Sequence, residues 1–97
     1  MIRVEVLPES DFCKVYFFFP GPRGHQVNLT GSFNDWDPVE LPMIYSDEAN
    51  GYAVELKLRN GSYEYKFIID GDWLADQGNP NFSANDFGTL NSVLNIG

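Results

Sequence analysis

Alternation of apolar and polar residues with a period of two is the feature that most constrains this chain. It is clearest in residues 52–58, where Tyr, Val and Leu occupy every second position, and it recurs in residues 63–69. Such alternation places one set of side chains on each face of a β-strand, and no stretch of apolar residues follows the helical spacing. The sequence therefore predicts an all-β protein.

About seven short strands are predicted, separated by turns rich in Gly, Pro, Asn and Asp. Asn60-Gly61 and Asp70-Gly71 each stand between alternating runs, which favours hairpins with type I′ turns. Residues 77–88 are expected to form a long loop. The predicted strands are residues 2–6, 12–19, 27–30, 43–45, 52–58, 63–69 and 92–96. Seven short strands indicate an immunoglobulin-like β-sandwich, and 97 residues suffice for one such core, so residues 1–97 are predicted to form a single domain.

A two-residue turn at 70–71 fixes which residues face each other across the hairpin. Ile68 is then opposite Trp73. Trp73 and Lys66 are expected to be exposed neighbours on the outer face, whereas Leu74 should face the core. Two interpretations of Trp73 stay open at this point: it is part of a binding surface, or it only covers Ile68 at a sheet edge.

A second tryptophan, Trp36, stands in an acidic loop at residues 34–38, where an inward-pointing indole would pull charged neighbours toward the core. An exposed or half-exposed side chain is expected, although an indole that closes the end of the sandwich is the alternative. Flat aromatic faces suit the apolar C–H side of a pyranose ring, while the hydroxyl rim needs polar partners. Four side chains are candidates for that role: Asn34, Lys66, Thr89 and Asn91.

The charge and the cysteine content narrow the partners and the compartment. The formal net charge is −8, and the six Lys and Arg residues form no cluster, which disfavours nucleic acid and anionic membranes but is compatible with a neutral ligand. Residues 1–6 alternate charged with apolar side chains, and no apolar window has the length of a signal peptide or a membrane span. The single cysteine, Cys13, is interpreted as a buried thiol. We therefore expect a cytoplasmic protein.

Catalytic, metal and cofactor sites are not predicted. The only histidine, His25, lies beside a Gly-rich turn and is interpreted as a surface residue. Asp35 and Asp37 lack the deep cleft that a glycosidase pair needs. A calcium loop is disfavoured because the alternation of oxygen ligands with a distal glutamate is missing. Three acids are candidates for such a loop: Asp70, which is explained by its turn, and Asp72 and Asp76, which are interpreted as solvated.

Three separated motifs resemble carbohydrate-binding module family 48. They are Gly-Ser-Phe-Asn-Asp-Trp at residues 31–36, Gly-Ser-Tyr-Glu-Tyr-Lys-Phe-Ile-Ile-Asp-Gly-Asp-Trp at residues 61–73, and Gly-Thr-Leu-Asn-Ser at residues 88–92. The family includes the glycogen-binding domain of the AMP-activated protein kinase β subunit and the N-terminal domains of branching and debranching enzymes. The resemblance extends over residues 12–96.

This resemblance implies an early-set immunoglobulin-like sandwich that binds α-1,4-linked glucan, as glycogen, starch or maltooligosaccharide. It implies that Trp36 and Trp73 stack on sugar rings, that Lys66 donates to hydroxyls, and that Asn91 hydrogen-bonds a glucose unit with Thr89 beside it.

Two positions depart from the family pattern. Phe87 stands where the kinase module has a leucine that penetrates its ligand, so the resemblance implies it as a sixth sugar contact with a different side chain. Residues 76–78 lack the proline that many relatives have after the aspartate. The alternative function is a structural or protein-docking module of the same fold, which would bind an amylolytic enzyme or a kinase.

Overall fold

The structure, a computed structural model, describes residues 2–6 and 11–96, which form ten antiparallel strands in two sheets. The first sheet contains, in spatial order, β1 (Ile2–Val6), β2 (Phe12–Pro20), β6 (Gly51–Arg59) and β5 (Ile44–Ser46). The second contains β4 (Leu41–Pro42), β3 (Val27–Gly31), β7 (Gly61–Ile69), β10 (Leu90–Ile96) and β9 (Phe82–Ala84), with β8 (Asp72–Leu74) paired to β7. The predicted all-β, immunoglobulin-like sandwich is confirmed.

The core lies between the two sheets and is built from the alternating residues of the long strands. Aromatic rings occupy its centre: the Phe17 and Tyr65 rings meet edge to face with centroids 5.2 Å apart, and Phe67 lies 5.9 Å from Tyr65. Edge-to-face contacts of this kind add to the free energy gained by burial. The buried core residues are Cys13, Val15, Phe17, Val27, Leu29, Met43, Tyr52, Leu58, Tyr65, Phe67, Leu94 and Ile96.

The predicted hairpin at Asn60-Gly61 is wrong. Strand β6 pairs with β2 and β5, whereas β7 pairs with β3, β8 and β10, so the chain crosses from one sheet to the other at Asn60. A type I′ turn needs positive φ at both central residues, and here only Gly61 has it. After the crossing, the apolar faces of β6 and β7 both point into the space between the sheets. The alternating pattern of the two strands is therefore compatible with this arrangement as well as with a hairpin.

A second crossing occurs at Met43, where the sequence predicts one strand over residues 43–45. The structure has two short strands instead, β4 in the second sheet and β5 in the first. Met43 lies between them, buried, and its N–H donates to the Val27 carbonyl at 2.8 Å. The predicted loop 77–88 also contains a strand, β9, which pairs with the start of β10.

The Asp70-Gly71 hairpin is confirmed, with φ of 50° and 91° at its two turn residues. Ile68 pairs with Trp73, as predicted. The prediction that Leu74 faces the core is only partly correct. Leu74 shares the inward face with Phe67, its partner across the hairpin, but it is 44% exposed because it lies on a three-residue strand, β8, that is paired to β7 and lies off the main path of the sheet.

Asp76, predicted to be solvated, is buried with 3% of its surface exposed. Its carboxylate accepts hydrogen bonds from the Tyr65 hydroxyl at 2.7 Å and from the Gly78 N–H at 2.9 Å, and its own N–H donates to the Ser92 hydroxyl at 2.7 Å. Burial raises the pKa of Tyr65; the hydrogen bond from Asn79 opposes this shift, and the contact with Asp76 adds to it. Asp76 therefore joins the segment after β8 to the core side of β7 and β10.

Cys13 is buried, as expected. Over the described residues, no helix is long and apolar enough to cross a membrane, and the helical content is a single 3-10 turn, Ser32–Asn34.

Candidate functional site

A groove with a volume of about 630 Å³ lies on the outer face of the second sheet. This size is in the usual range of small-ligand sites. The six residues that the family resemblance implies as sugar contacts all line it, together with two that sequence reasoning missed, Asn85 and Asp86. The lining residues are Trp36, Lys66, Trp73, Asn85, Asp86, Phe87, Thr89 and Asn91.

The loop that carries Trp36 begins where β3 ends and is held by Asn34. The Asn34 side chain accepts from the Gly31 N–H at 3.1 Å and donates to the Asp37 carbonyl at 3.3 Å, so its amide is engaged within the loop. Trp36 N–H donates to the Gly31 carbonyl at 2.9 Å. Asp35 and Trp36 both have left-handed φ, of 55° and 59°, which costs about 1–2 kcal/mol per residue in this region. The hydrogen bonds that close the loop keep Trp36 in this unfavourable backbone conformation, with its side chain half-buried.

Gly31 is where β3 approaches β7 too closely for a side chain. A Cβ atom at this position would lie 2.5 Å from the Glu64 carbonyl oxygen and 2.7 Å from the Phe33 ring. The close approach brings the start of the Trp36 loop against β7, the strand that contributes Lys66 to the groove.

Trp73 reaches the groove from β8, on the side of the hairpin opposite Leu74. It is 45% exposed, whereas Ile68, its partner across the hairpin, is 6% exposed. Trp73 thus has both properties that sequence reasoning left as alternatives: the side chain is partly buried next to Ile68 and retains an accessible surface in the groove.

Lys66 was predicted to be an exposed neighbour of Trp73, and this is wrong. The residue is buried, with 7% of its surface accessible. The alternation along β7 correctly placed it on the outer face, but the loops around the groove cover it. Its ammonium donates to the Thr89 hydroxyl oxygen at 2.9 Å. Burying an ammonium group costs free energy unless it has hydrogen-bond acceptors, and the Thr89 hydroxyl supplies one.

Asn85 closes the loop between β9 and β10. Its side-chain oxygen accepts from the backbone N–H groups of Phe87 and Thr89, at 3.0 and 3.1 Å. Its amide nitrogen donates to the Thr89 hydroxyl oxygen at 2.7 Å and to the Asn91 side-chain oxygen at 2.9 Å. Asn and Asp side chains commonly accept from a backbone N–H two residues later, so an Asn in this loop is compatible with an Asx turn. Its contact with Asn91 depends on strand pairing that the sequence does not disclose.

Phe87 is at the tip of this loop and is 92% exposed. A ring that is exposed to water contributes almost no burial free energy to folding, and nearly all of its surface is available to a ligand. Its neighbour Asp86 is also exposed. Together with Glu64, which contacts Asn91, these residues give the groove region two carboxylates against one ammonium, that of Lys66.

The far end of the hairpin is tied down by His25. The His25 Nδ1 atom is 2.6 Å from the Asp70 carboxylate, whose other oxygen accepts from the Gln26 N–H at 2.9 Å. The contact with His25, and next the Gln26 bond, lowers the pKa of Asp70. His25 is at the surface, as expected, and helps to hold the hairpin that carries Trp73.

Comparison with known proteins identifies relatives over most of the chain. The family described as the glycogen recognition site of AMP-activated protein kinase matches residues 14–97. The 5'-AMP-activated protein kinase subunit beta-1 of Sus scrofa is 36% identical over 73 residues, which cover 75% of this chain and 56% of that protein. The beta-2 subunit of Mus musculus is 34% identical over 73 residues, 75% of this chain and 26% of that protein.

The match spans only about a quarter of the length of the beta-2 subunits, 26% for Mus musculus and 25% for Homo sapiens. The family match, residues 14–97, begins two residues after Phe12 and includes all six residues that the resemblance implied. It supports carbohydrate binding by this chain. The resemblance inferred from three motifs is thereby confirmed, and the chain belongs to the family of the glycogen recognition site of AMP-activated protein kinase.

Proposed function

We propose that this chain is one non-catalytic domain that binds α-1,4-linked glucan, as glycogen, starch or maltooligosaccharide, in the groove on its second sheet. The observation that carries the proposal is the composition of that groove in a member of a glycogen recognition family. Two indoles and an exposed phenyl ring surround a compact set of amide, hydroxyl and ammonium groups. A pyranose ring presents the same combination of an apolar face and a polar rim.

In this proposal Trp36 and Trp73 stack on successive sugar rings, and Phe87 contacts the ligand from the loop tip. Lys66 and Asn91 hydrogen-bond the hydroxyl groups, with Thr89 beside them. The groove is open to solvent on one side, so each contact is only partly desolvated. Subtracting the entropy lost on association from a few such contacts gives a dissociation constant between about 10 μM and 1 mM.

The test is a titration followed by intrinsic tryptophan fluorescence. The chain has two tryptophans, and both line the groove, so the signal reports this surface alone. We expect saturation with maltoheptaose and no change with cellohexaose, whose β-1,4 linkage gives a straight chain. Trp36→Ala should weaken maltoheptaose binding, while thermal melting shows whether the fold is retained. A titration with no change up to several millimolar maltoheptaose contradicts the proposal.

A second candidate function is docking onto another protein, favoured by an uncovered strip on the inward face of the second sheet. Strand pairing places Leu74, Phe82 and Leu90 on that face, and they are 44%, 47% and 49% exposed. The relatives are named as subunits of a kinase, so the partner we propose is another kinase subunit. Leu90→Asp should then abolish co-purification with the kinase subunits and leave maltoheptaose binding unchanged; retained co-purification refutes this candidate.

A cytoplasmic location remains part of the proposal. Cys13 is a free, buried thiol, which is compatible with a reducing compartment. Localisation of the full-length protein by fluorescence microscopy tests this directly, and a secreted product contradicts it.

A further inference from the structure

The amide of Asn91 is held at both ends by groups that allow only one orientation. Its nitrogen donates to the Glu64 carboxylate at 3.2 Å, and its oxygen accepts from the Asn85 nitrogen at 2.9 Å. A carboxylate accepts hydrogen bonds and cannot donate them unless protonated. A flipped Asn91 amide would place oxygen against oxygen at Glu64 and nitrogen against nitrogen at Asn85.

The orientation of Asn85 is fixed in turn by the backbone. Two main-chain N–H groups, those of Phe87 and Thr89, donate to one end of its side chain. An N–H group is only a donor, so that end must be the oxygen. The other end is then the NH₂ group, which is the one that faces Asn91 and Thr89.

The same reasoning sets the hydroxyl of Thr89. Its oxygen accepts from the Asn85 NH₂ group at 2.7 Å and from the Lys66 ammonium at 2.9 Å. A hydroxyl oxygen has two acceptor positions, and both are occupied by groups that can only donate here. The hydroxyl hydrogen of this exposed residue is therefore left to donate into the groove.

We propose that Glu64 and Asn85 are positioning residues that fix the hydrogen-bonding polarity of the groove before the ligand arrives. Glu64 acts through Asn91, and Asn85 acts through both Asn91 and Thr89. The groove then presents Thr89 as a donor and Asn91 with one free N–H, so a sugar hydroxyl at Thr89 must act as the acceptor. This inference rests on the proposed function and deepens it, because it assigns a specificity role to two residues that need not touch the sugar.

Four variants separate positioning from a merely structural role. Glu64→Gln retains an acceptor for the Asn91 N–H and should keep the dissociation constant for maltoheptaose within about twofold, whereas Glu64→Ala should raise it about threefold to tenfold. Asn85→Asp keeps the oxygen that accepts from the loop N–H groups but replaces the donor with a carboxylate oxygen, and should raise the constant by about tenfold or more. Glu55→Gln removes an acid on the exposed face of β6 and should have no effect.

Isothermal calorimetry gives the dissociation constants, and ¹⁵N-edited NMR of the Asn91 side-chain NH₂ group reports its hydrogen bonds without any sugar. The Asn91 signals should stay in place in Glu64→Gln and move in Glu64→Ala. If the wild type binds maltoheptaose and both Glu64→Ala and Asn85→Asp bind equally well, this inference is overturned and the proposed function stands. A wild-type protein that does not bind overturns the proposed function, and this inference with it.

Discussion

Replacing Trp73 with leucine tests the proposed sugar platform while keeping an apolar side chain over Ile68. A fully covered tryptophan buries about 150–250 Å², and Trp73 is 45% exposed, which leaves on the order of 100 Å² for a ligand to cover. At about 25 cal/mol per Å², complete cover contributes about 2.5 kcal/mol, and cover of one indole face about half of that. We therefore expect Trp73→Leu to raise the dissociation constant for maltoheptaose about 8-fold to 70-fold.

The control is the next residue on the same strand. Leu74 is 44% exposed and lies on the opposite face of the hairpin, so Leu74→Ala removes a similarly exposed apolar side chain outside the groove. Both variants should lower the free energy of unfolding by about 1 kcal/mol, which lowers the melting temperature by about 4–8 °C for a domain of this size. Only Trp73→Leu should weaken sugar binding.

Calorimetry with maltoheptaose and thermal melting by circular dichroism measure the two effects separately. The reasoning is refuted if Trp73→Leu binds within about twofold of the wild type, because the indole would then contribute less than about 0.4 kcal/mol. It is also refuted if Leu74→Ala weakens binding as much as Trp73→Leu does, since the effect would then come from the stability of the hairpin and not from the groove.

Three further predictions concern packing, the loop tip and pH. A Cβ atom in Gly51→Ala would lie 2.6 Å from the Phe19 carbonyl oxygen, so urea unfolding should show a loss of about 1–3 kcal/mol; unchanged stability contradicts the packing. Phe87→Ala should change stability by less than about 0.5 kcal/mol, because the ring is 92% exposed, yet raise the maltoheptaose dissociation constant several-fold; equal affinity removes Phe87 from the site. Burial raises the pKa of Tyr65, so the folded state favours the neutral phenol. The contribution of Tyr65 to the free energy of unfolding is therefore complete below about pH 10 and falls by about 1.4 kcal/mol per pH unit above it. Urea titrations should show this slope in the wild type and not in Tyr65→Phe; an unchanged slope in the variant contradicts the assignment.

The turn sequences show what local pattern can and cannot predict. Asp70-Gly71 predicted the pairing of Ile68 with Trp73 correctly because both turn residues adopt positive φ in the structure. Asn60-Gly61 carries the same kind of signal but joins strands of different sheets. In both cases the apolar faces point inward, so alternation alone does not distinguish a hairpin from a crossing, and the choice is made by long-range pairing with β2 and β3.

Burial on the outer face was the main feature that the sequence did not predict. Strand alternation gives the face on which Lys66 lies, but its 7% exposure depends on what covers that face. The cover comes from loops around the groove, and the position of Asn85 depends on the pairing of β9 with β10. Strand β9 itself escaped prediction because its three residues, Phe82–Ala84, are too few to show alternation. Asp76 was misjudged for a similar reason: its partners, Tyr65 and Ser92, are distant in sequence.

Strand β7 couples the groove to the core, and this arrangement bears on how tightly the site can bind. Tyr65 and Phe67 are fixed between the sheets at 0% and 1% exposure, while Lys66 and Ile68, the residues in between, lie on the groove side at 7% and 6%. The groove side of β7 therefore cannot move without disturbing aromatic packing. Hydrogen bonds already link the side chains of Lys66, Thr89, Asn85 and Asn91. Binding then requires little ordering of the protein, which keeps the entropic cost low. It follows that the modest affinity we expect arises from the open side of the groove, where ligand contacts stay hydrated. Variants that enlarge the aromatic surface at the Phe87 tip should therefore strengthen binding more than variants that stiffen the sheet.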